Sequence, residues 1–255
     1  NEHGALRERC QPQSSSETTV QTCLILDDYQ NAALGLAEWT RLADQVAVSS
    51  ITDHVADQDA LVSKIDRAEI LVIMRERTPF PEALLKRLPR LKLLVTSGMR
   101  NLAIDVAAAR ARGITVCGTE SSPTPPTELT WALILGLARH LPLENRNLRD
   151  GGPWQTTIGT DLAGATLGIL GLGKIGTRVA GIGRAFGMRS IAWSPNLDDA
   201  RAAAAGVERA ESREALLEGS DVVTIHLVLG DRTRGLLGEA ELRRMRPGAI
   251  LVNTS

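Results

Sequence analysis

Aromatic side chains are scarce: Phe, Trp and Tyr together make up 3% of the 255 residues. The core must therefore be built from Leu, Val, Ile and Ala, and there is no aromatic platform for stacking nucleic-acid bases. Neither sign of charge is in excess, since the net charge is −1 with both signs mixed along the chain. That argues against nucleic acid or an anionic membrane as the main partner. No apolar run approaches the roughly eighteen residues of a membrane span. The start, "NEHGALRERCQPQSSSETTVQ", has no apolar segment of the kind a secretory signal needs, and residues 1–20 read as a disordered extension. The three cysteines, Cys10, Cys23 and Cys117, are odd in number and lack metal-ligand spacing. They read as ordinary thiols of a reducing compartment, with the cytoplasm as the expected location. No metal site is expected. His3, His54 and His140 have no acidic or Cys partner at ligand spacing and read as surface residues.

What is present is an alternation of apolar runs and helical patterns. "TCLILD" (22–27) reads as a buried strand, and residues 31–44 have helical spacing through Leu34, Ala37 and Leu42. "QVAVSS" is a short strand, and "DALVSKIDRA" sets Leu61, Val62 and Ile65 on one helical face. "EILVIM" (69–74) is a strand, "PEALLKRL" a helix begun by Pro81, and "LKLLVTS" (91–97) a strand. "IDVAAARARG" is a helix stopped by Gly113, and "ITVCG" a fifth strand. Near-continuous apolar strands between helices predict a parallel sheet covered on both faces, a doubly wound, flavodoxin-like domain over 21–120. "TESSPTPPTE", with three prolines, marks a hinge. A helix over roughly 126–140 follows, apolar around most of its circumference and so expected to be buried between domains or subunits.

The most informative stretch is "TLGILGLGKIGTRVAGIGRAFGMRSIAWSPN", residues 166–196. A strand, "LGIL", feeds Gly171-Leu172-Gly173-Lys174-Ile175-Gly176. Ile175, Val179, Ile182 and Phe186 then fall at helical spacing, and "RSIAWS" is a second strand. A lone G-x-G-x-x-G is a weak signal, but between a strand and an amphipathic helix it reads as a phosphate-binding turn of a Rossmann domain. Gly171 permits the tight turn, Gly173 the approach of a pyrophosphate, and Gly176 the packing of helix on strand. The helix N-terminus adds N–H donors and partial positive charge. The other reading is a strand–helix turn whose glycines serve packing only. An NAD-preferring site usually ends its second strand with Asp or Glu, and here that slot holds Ser194. Serine can bond ribose or phosphate and repels neither. Asp198 and Asp199 are expected on the next helix, and Arg201 is the nearest downstream cation. NAD against NADP stays open.

With these segments placed, the chain resembles the D-isomer-specific 2-hydroxyacid dehydrogenase family, from about residue 22 to the last. The resemblance rests on "MRERTPF", "LLVTSGMRNLAIDVAAARARGITVCGT", "ELTWALILGLAR", "GILGLGKIGTRVA", "SDVVTIHLVLGDRTRGLLG" and "MRPGAILVNTS". It implies two doubly wound domains, an outer substrate domain (21–120) and a Rossmann NAD(P)-binding domain (121–255), and homodimers. It also implies hydride transfer between NAD or NADP and a small D-2-hydroxy or 2-oxo acid. Ser97-Gly98 match the turn whose backbone holds the substrate carboxylate, although a turn shaped by Gly98 alone is the other reading. Arg75 matches a substrate-facing position, or is a solvated or salt-bridged charge. His226 matches a residue near the adenosine side of the cofactor, with Leu227 beside it. A buried structural histidine and a general base are its other readings. Thr233 matches a threonine beneath the cofactor, or caps a helix, and Asn253, Thr254 and Ser255 would approach the nicotinamide.

The family's catalytic arginine directly follows the segment matching Asn253-Thr254-Ser255, and its glutamate and histidine come later, so no catalytic residue is expected within this chain. "AILV" reads as a buried strand with nothing after Ser255 to cover it, and no Met precedes Asn1. The chain is read as a fragment, with its Rossmann domain incomplete and inactive by itself. The alternative, from another functional class, is a dinucleotide-sensing binding protein without turnover, of the dehydrogenase-like corepressor type.

Overall fold

The computed structural model describes residues 20–230 and 232–255. His3, Cys10 and nearly all of the expected N-terminal extension lie outside the described residues. The chain divides into two compact units between Ser121 and Ser122.

In the first unit, strands β1 (Gln21–Ile25), β2 (Val46–Ser50), β3 (Ile70–Ile73), β4 (Leu93–Thr96) and β5 (Thr115–Gly118) form one sheet. Its order is β2-β1-β3-β4-β5, every neighbouring pair parallel. That is the flavodoxin-like order, with its reversal of direction between β1 and β3. Helices α1 (Gln58–Ile65), α2 (Glu82–Leu85) and α3 (Val106–Ala111) connect the strands. α1 starts where the Asp57 carboxylate accepts the N–H of Ala60, and it buries Leu61 and Ile65 as its spacing required. Leu71, Ile73, Phe80, Leu84, Leu85 and Leu94 fill the core.

The helix expected over 31–44 does not form. Two single 3-10 turns, Ala33–Gly35 and Trp39–Leu42, stand there instead. The Asp28 carboxylate takes the N–H groups of Ala32 and Ala33 at 2.9 and 3.1 Å, and the Trp39 indole N–H donates to the Ala33 carbonyl. Leu34, Leu36 and Leu42 stay exposed. Short helices are held by an apolar face packed on a core, and this segment buries none.

The second unit contains α4 (Thr124–Ala138), α5 (Leu141–Arg149), β6 (Thr166–Leu170), α6 (Lys174–Ala185), β7 (Arg189–Trp193), α7 (Asp199–Ala204), β8 (Glu208–Arg209), α8 (Arg213–Gly219), β9 (Val222–Ile225), α9 (Glu239–Leu242) and β10 (Ile250–Asn253). Its parallel sheet has the order β10-β9-β6-β7-β8. Counted from β6 and read from the β8 edge this is 3-2-1-4-5, the dinucleotide-binding order, with its switch point between β6 and β9. β6 is buried along its whole length.

α4 begins at Thr124, inside the proline run, because Pro125 and Pro126 fall in the first turn where no N–H is required. It is not buried all round. Trp131, Ile134 and Ala138 face the core, with the Trp131 ring stacked on Phe186 at 4.9 Å between centroids. Leu129, Leu133 and Leu137, one stripe at spacing four, remain 40–52% exposed. α5 was not anticipated; it starts from His140 in the left-handed region, with Pro142 in its first turn.

Candidate dinucleotide site and substrate-facing turns

β6 runs directly into the glycine turn. Gly171 has φ +102°, and a Cβ there would lie 2.6 Å from the carbonyl oxygen of His226. A Cβ on Gly176 would overlap the carbonyl oxygen of Gly171. Both glycines are therefore demanded by the chain's own packing. Gly173 is different: a Cβ there would meet nothing within 4 Å. Packing does not explain it, whereas a ligand that must reach the backbone does. Gly173 is also the N-cap of α6 and supplies no side-chain cap, so the first N–H groups of the helix, at Lys174 and Ile175, have no intrahelical partner.

The neighbouring strand ends complete the edge. Gly171 donates its N–H to the Trp193 carbonyl, and Leu172 donates to Ser194 Oγ at 3.0 Å. Ser194, predicted at the ribose slot, is thus bonded to the glycine turn itself. His226 follows β9, and its N–H donates to the Leu170 carbonyl at 2.7 Å. Both of its ring nitrogens are buried without a partner among the described residues. Burial pushes the imidazole down to about 4, so it is neutral at pH 7 and a weak base. Orphaned polar atoms beside a turn with open N–H groups fit a polar ligand laid across the ends of β6 and β9. Leu227 packs half-buried against the apolar cluster around Leu170. Thr233 neither caps a helix nor has a free hydroxyl. It accepts the Gly230 N–H at 2.9 Å and donates to the Val228 carbonyl at 2.7 Å, closing its own loop. At the end of β10, Asn253 Oδ1 accepts the Ser255 N–H, the Thr254 and Thr130 hydroxyls meet at 2.8 Å, and Ser255 Oγ donates to the Ile225 carbonyl.

In the first unit, the structure brings Arg75, Ser97 and Gly98 together. The Arg75 N–H donates to Ser97 Oγ at 3.1 Å, and its guanidinium lies 3.1 Å from where a Gly98 Cβ would stand. Arg75 and Gly98 both have positive φ, +52° and +93°. The expected carboxylate donors are already engaged, however. Ser97 N–H bonds the Ile73 carbonyl at 3.0 Å, continuing the sheet, and Gly98 N–H bonds Thr119 Oγ1 at 3.0 Å. The N–H groups of Met99 and Arg100, next along the turn, have no partner among the described residues.

The comparisons with known proteins bear on both units. Residues 131–255 match the D-isomer specific 2-hydroxyacid dehydrogenase, NAD binding domain. A crystal structure of a phosphoglycerate oxidoreductase from Vibrio cholerae is 39% identical and superposes with a TM-score of 0.87, covering 92% of this chain and 76% of that one. The chain belongs to the D-isomer specific 2-hydroxyacid dehydrogenase family. Among curated relatives, the glyoxylate reductase of Aeropyrum pernix is 41% identical over 206 residues, 77% of this chain and 61% of that protein. A D-3-phosphoglycerate dehydrogenase of Mycobacterium bovis is 34% identical over 217 residues, 84% of this chain and 40% of that protein. The chain thus spans less than two thirds of these relatives' length. The stretch of this dehydrogenase-family chain that matches the NAD binding domain, residues 131–255, lies within the second unit.

Sequence reasoning missed the network beneath the Arg75 loop. Asp27, buried at 2% exposure and with φ +57°, follows just after β1. Its carboxylate accepts from Thr78 Oγ1 at 2.7 Å and meets His54 Nδ1 at 2.9 Å, and its carbonyl accepts from Arg77 at 2.7 Å. His54 is exposed, as expected of a surface histidine, but it has an acidic partner in Asp27. Thr119, Asn101 and Gly118 were missed as well. Asn101 Nδ2 bonds the Arg75 carbonyl at 2.6 Å, and a Cβ on Gly118 would lie 2.7 Å from the Gly98 carbonyl oxygen. The only sequence signals were the doublet "DD" and the "NL" and "CGT" that flank the turns, none of which states its partner. No helix among the described residues is long and apolar enough to cross a membrane.

Proposed function

We propose that the protein is an NAD(P)-dependent oxidoreductase that interconverts a small D-2-hydroxy acid and its 2-oxo acid. The observation that carries the reading is Gly173, bare at the start of α6 with no packing reason to be glycine. In this proposal the open N–H groups at Gly173 to Ile175 hold the pyrophosphate, Gly171 and Gly176 shape the turn, and Ser194 faces the ribose. Lys174 adds an exposed cation beside that site, His226 and Leu227 line the adenosine side, and Thr233 braces the loop below. A bound dinucleotide supplies hydride donation and acceptance at its nicotinamide, which Asn253, Thr254 and Ser255 approach. The Arg75 guanidinium and the Met99 and Arg100 N–H groups are the donors for the substrate carboxylate, with Ser97 and Gly98 setting their place.

The arginine, glutamate and histidine that the family resemblance implies are not among these residues. We therefore expect the 255 residues by themselves to bind dinucleotide without turning over substrate. The whole protein is proposed to be a cytoplasmic homodimer. The exposed stripe Leu129, Leu133, Leu137 is the surface that supports dimerisation, and the free thiols of Cys23 and Cys117 suit a reducing compartment.

Titration by dinucleotide fluorescence tests the site. Gly173→Val should fold normally, since its Cβ meets nothing, yet bind at least about a hundredfold more weakly, a loss of about 2.7 kcal/mol. Equal binding by parent and variant would sink the assignment. Dinucleotide oxidation with glyoxylate, hydroxypyruvate or pyruvate tests the activity. Binding without turnover by the full natural protein would favour the sensing-protein alternative.

A further inference from the structure

We infer that the turn after β7 binds the 2′-phosphate of the dinucleotide through Ser194 and Arg201, so that NADP(H) is the preferred ligand. This rests on the reading of Gly171–Gly176 as the pyrophosphate turn.

Ser194 to Leu197 form a single β-turn, with the Leu197 N–H donating to the Ser194 carbonyl at 3.1 Å and Pro195 at its second position. The two ends of such a turn lie within about 7 Å of each other, and Asn196, to which Arg201 is bonded, lies between them. Ser194 stands at the first position, and its hydroxyl is already polarised. A serine hydroxyl has one hydrogen and two lone pairs. Oγ accepts the Leu172 N–H at 3.0 Å, and the hydrogen remains to be donated outward. A phosphate, which presents only acceptors at neutral pH, is a matched partner for that hydrogen.

Arg201 supplies the charge. Its Nη1 donates to the carbonyl of Asn196, the third residue of the turn, at 2.9 Å, which holds the guanidinium over the turn. It makes no ion pair among the described residues, whereas the nearby Arg189 and Arg209 are paired with Glu208 and Asp199. Its remaining N–H donors are available to an anion in the fork geometry that suits phosphate.

The carboxylates that would favour the unphosphorylated ribose are committed elsewhere. Asp198 accepts the backbone N–H of Arg201 at 2.7 Å as the N-cap of α7, and Asp199 is held by Arg209. No acid stands at the end of β7 to accept from the ribose diol or to repel a 2′-phosphate. Arg201 sits seven residues past the slot, and only the fold of the turn and of α7 returns its guanidinium to Asn196.

The test is equilibrium binding to the 255-residue chain, which needs no turnover. NADPH should bind at least about tenfold more tightly than NADH at low ionic strength, with the advantage shrinking as salt screens the exposed pair. Arg201→Ala should abolish most of that advantage while leaving NADH affinity within about twofold, and Arg201→Lys should keep part of it. With the parent alone, adenosine 2′,5′-bisphosphate should displace NADPH at concentrations where 5′-AMP does not. Tighter or equal binding of NADH, or equal losses for both dinucleotides in Arg201→Ala, would overturn the inference and leave the pyrophosphate turn standing. If neither dinucleotide binds, the pyrophosphate reading falls first and takes the inference with it.

Discussion

The two sheets share one architecture but finish their C-terminal edges in opposite ways. In the second unit the edge between β6 and β9 is left open: glycines, open N–H groups at the start of α6, and a histidine whose ring has no partner among the described residues. In the first unit the edge between β1 and β3 is cross-linked by side chains. Asp27 gathers Thr78 and His54, its carbonyl takes Arg77, and Ser97, Asn101 and Thr119 tie down the Arg75 and Gly98 turns. An edge left unsatisfied is prepared for a large polar ligand that supplies the missing bonds. An edge already satisfied holds a few donors, such as Arg75, in place for a small one.

The contrast can be broken most severely at Gly176. Any Cβ there overlaps the Gly171 carbonyl, and since the backbone fixes a Cβ as firmly as it fixes that carbonyl, neither can rotate aside. Gly176→Val should destabilise the second unit by more than about 3 kcal/mol, read as loss of a cooperative thermal transition for that unit. If it melts like the parent, the turn is not held as described.

The cross-linked edge should be nearly as sensitive at one residue. Asp27→Ala, at a residue 2% exposed, leaves the buried Thr78 hydroxyl and the more exposed His54 Nδ1 without their acceptor. The expected cost is about 2–4 kcal/mol by urea denaturation. A change under about 0.5 kcal/mol, the ordinary surface value, would mean that the network does not organise the edge.

His226 sharpens the comparison through pH. Burial lowers its folded-state value from 6.5 to about 4, so between those limits the unfolded chain binds more protons than the folded one. Stability is then fully present above the unfolded value and is lost as pH falls through that window toward 4. The loss should reach about 2–3 kcal/mol at most. His226→Asn should flatten the pH dependence of the second unit's melting over the same window; an unchanged slope would assign the effect elsewhere.

The smallest expected effect is at Thr119. Thr119→Val removes the hydroxyl that accepts the Gly98 N–H at a cost of about 1 kcal/mol. In the full natural protein it also frees a donor beside Arg75. The proposed carboxylate site should then change KM for the 2-oxo acid more than kcat, and an equal fall in both would argue against a binding role for this turn.

The glycine turn could be read from the chain because all its parts are local. A strand, six residues and a helix lie in sequence, and the constraints on Gly171 and Gly176 are backbone constraints that few other residues meet. Segment 31–44 misled for the opposite reason. Its apolar spacing is helical, but spacing records only what a face could bury, and no element among the described residues covers Leu34 or Leu42. α5 went unseen because its residues "LPLENRNLR" are mostly polar, leaving little periodic apolar signal. His54 was read as partnerless since its acid lies 27 positions away, and only the pairing of β1 with both β2 and β3 brings the two together.

Local chemistry, carried by residues adjacent in the chain, determined the parallel strands, the glycine turn and the serine that follows β7. Tertiary structure alone decided which polar groups are already satisfied. It closed the N–H groups of Ser97 and Gly98, left Gly173 bare, orphaned the ring of His226, and brought Arg201 back over the turn it follows. A hydrogen bond depends on distance and direction between groups far apart in sequence, and neither is written in the order of the residues that make it.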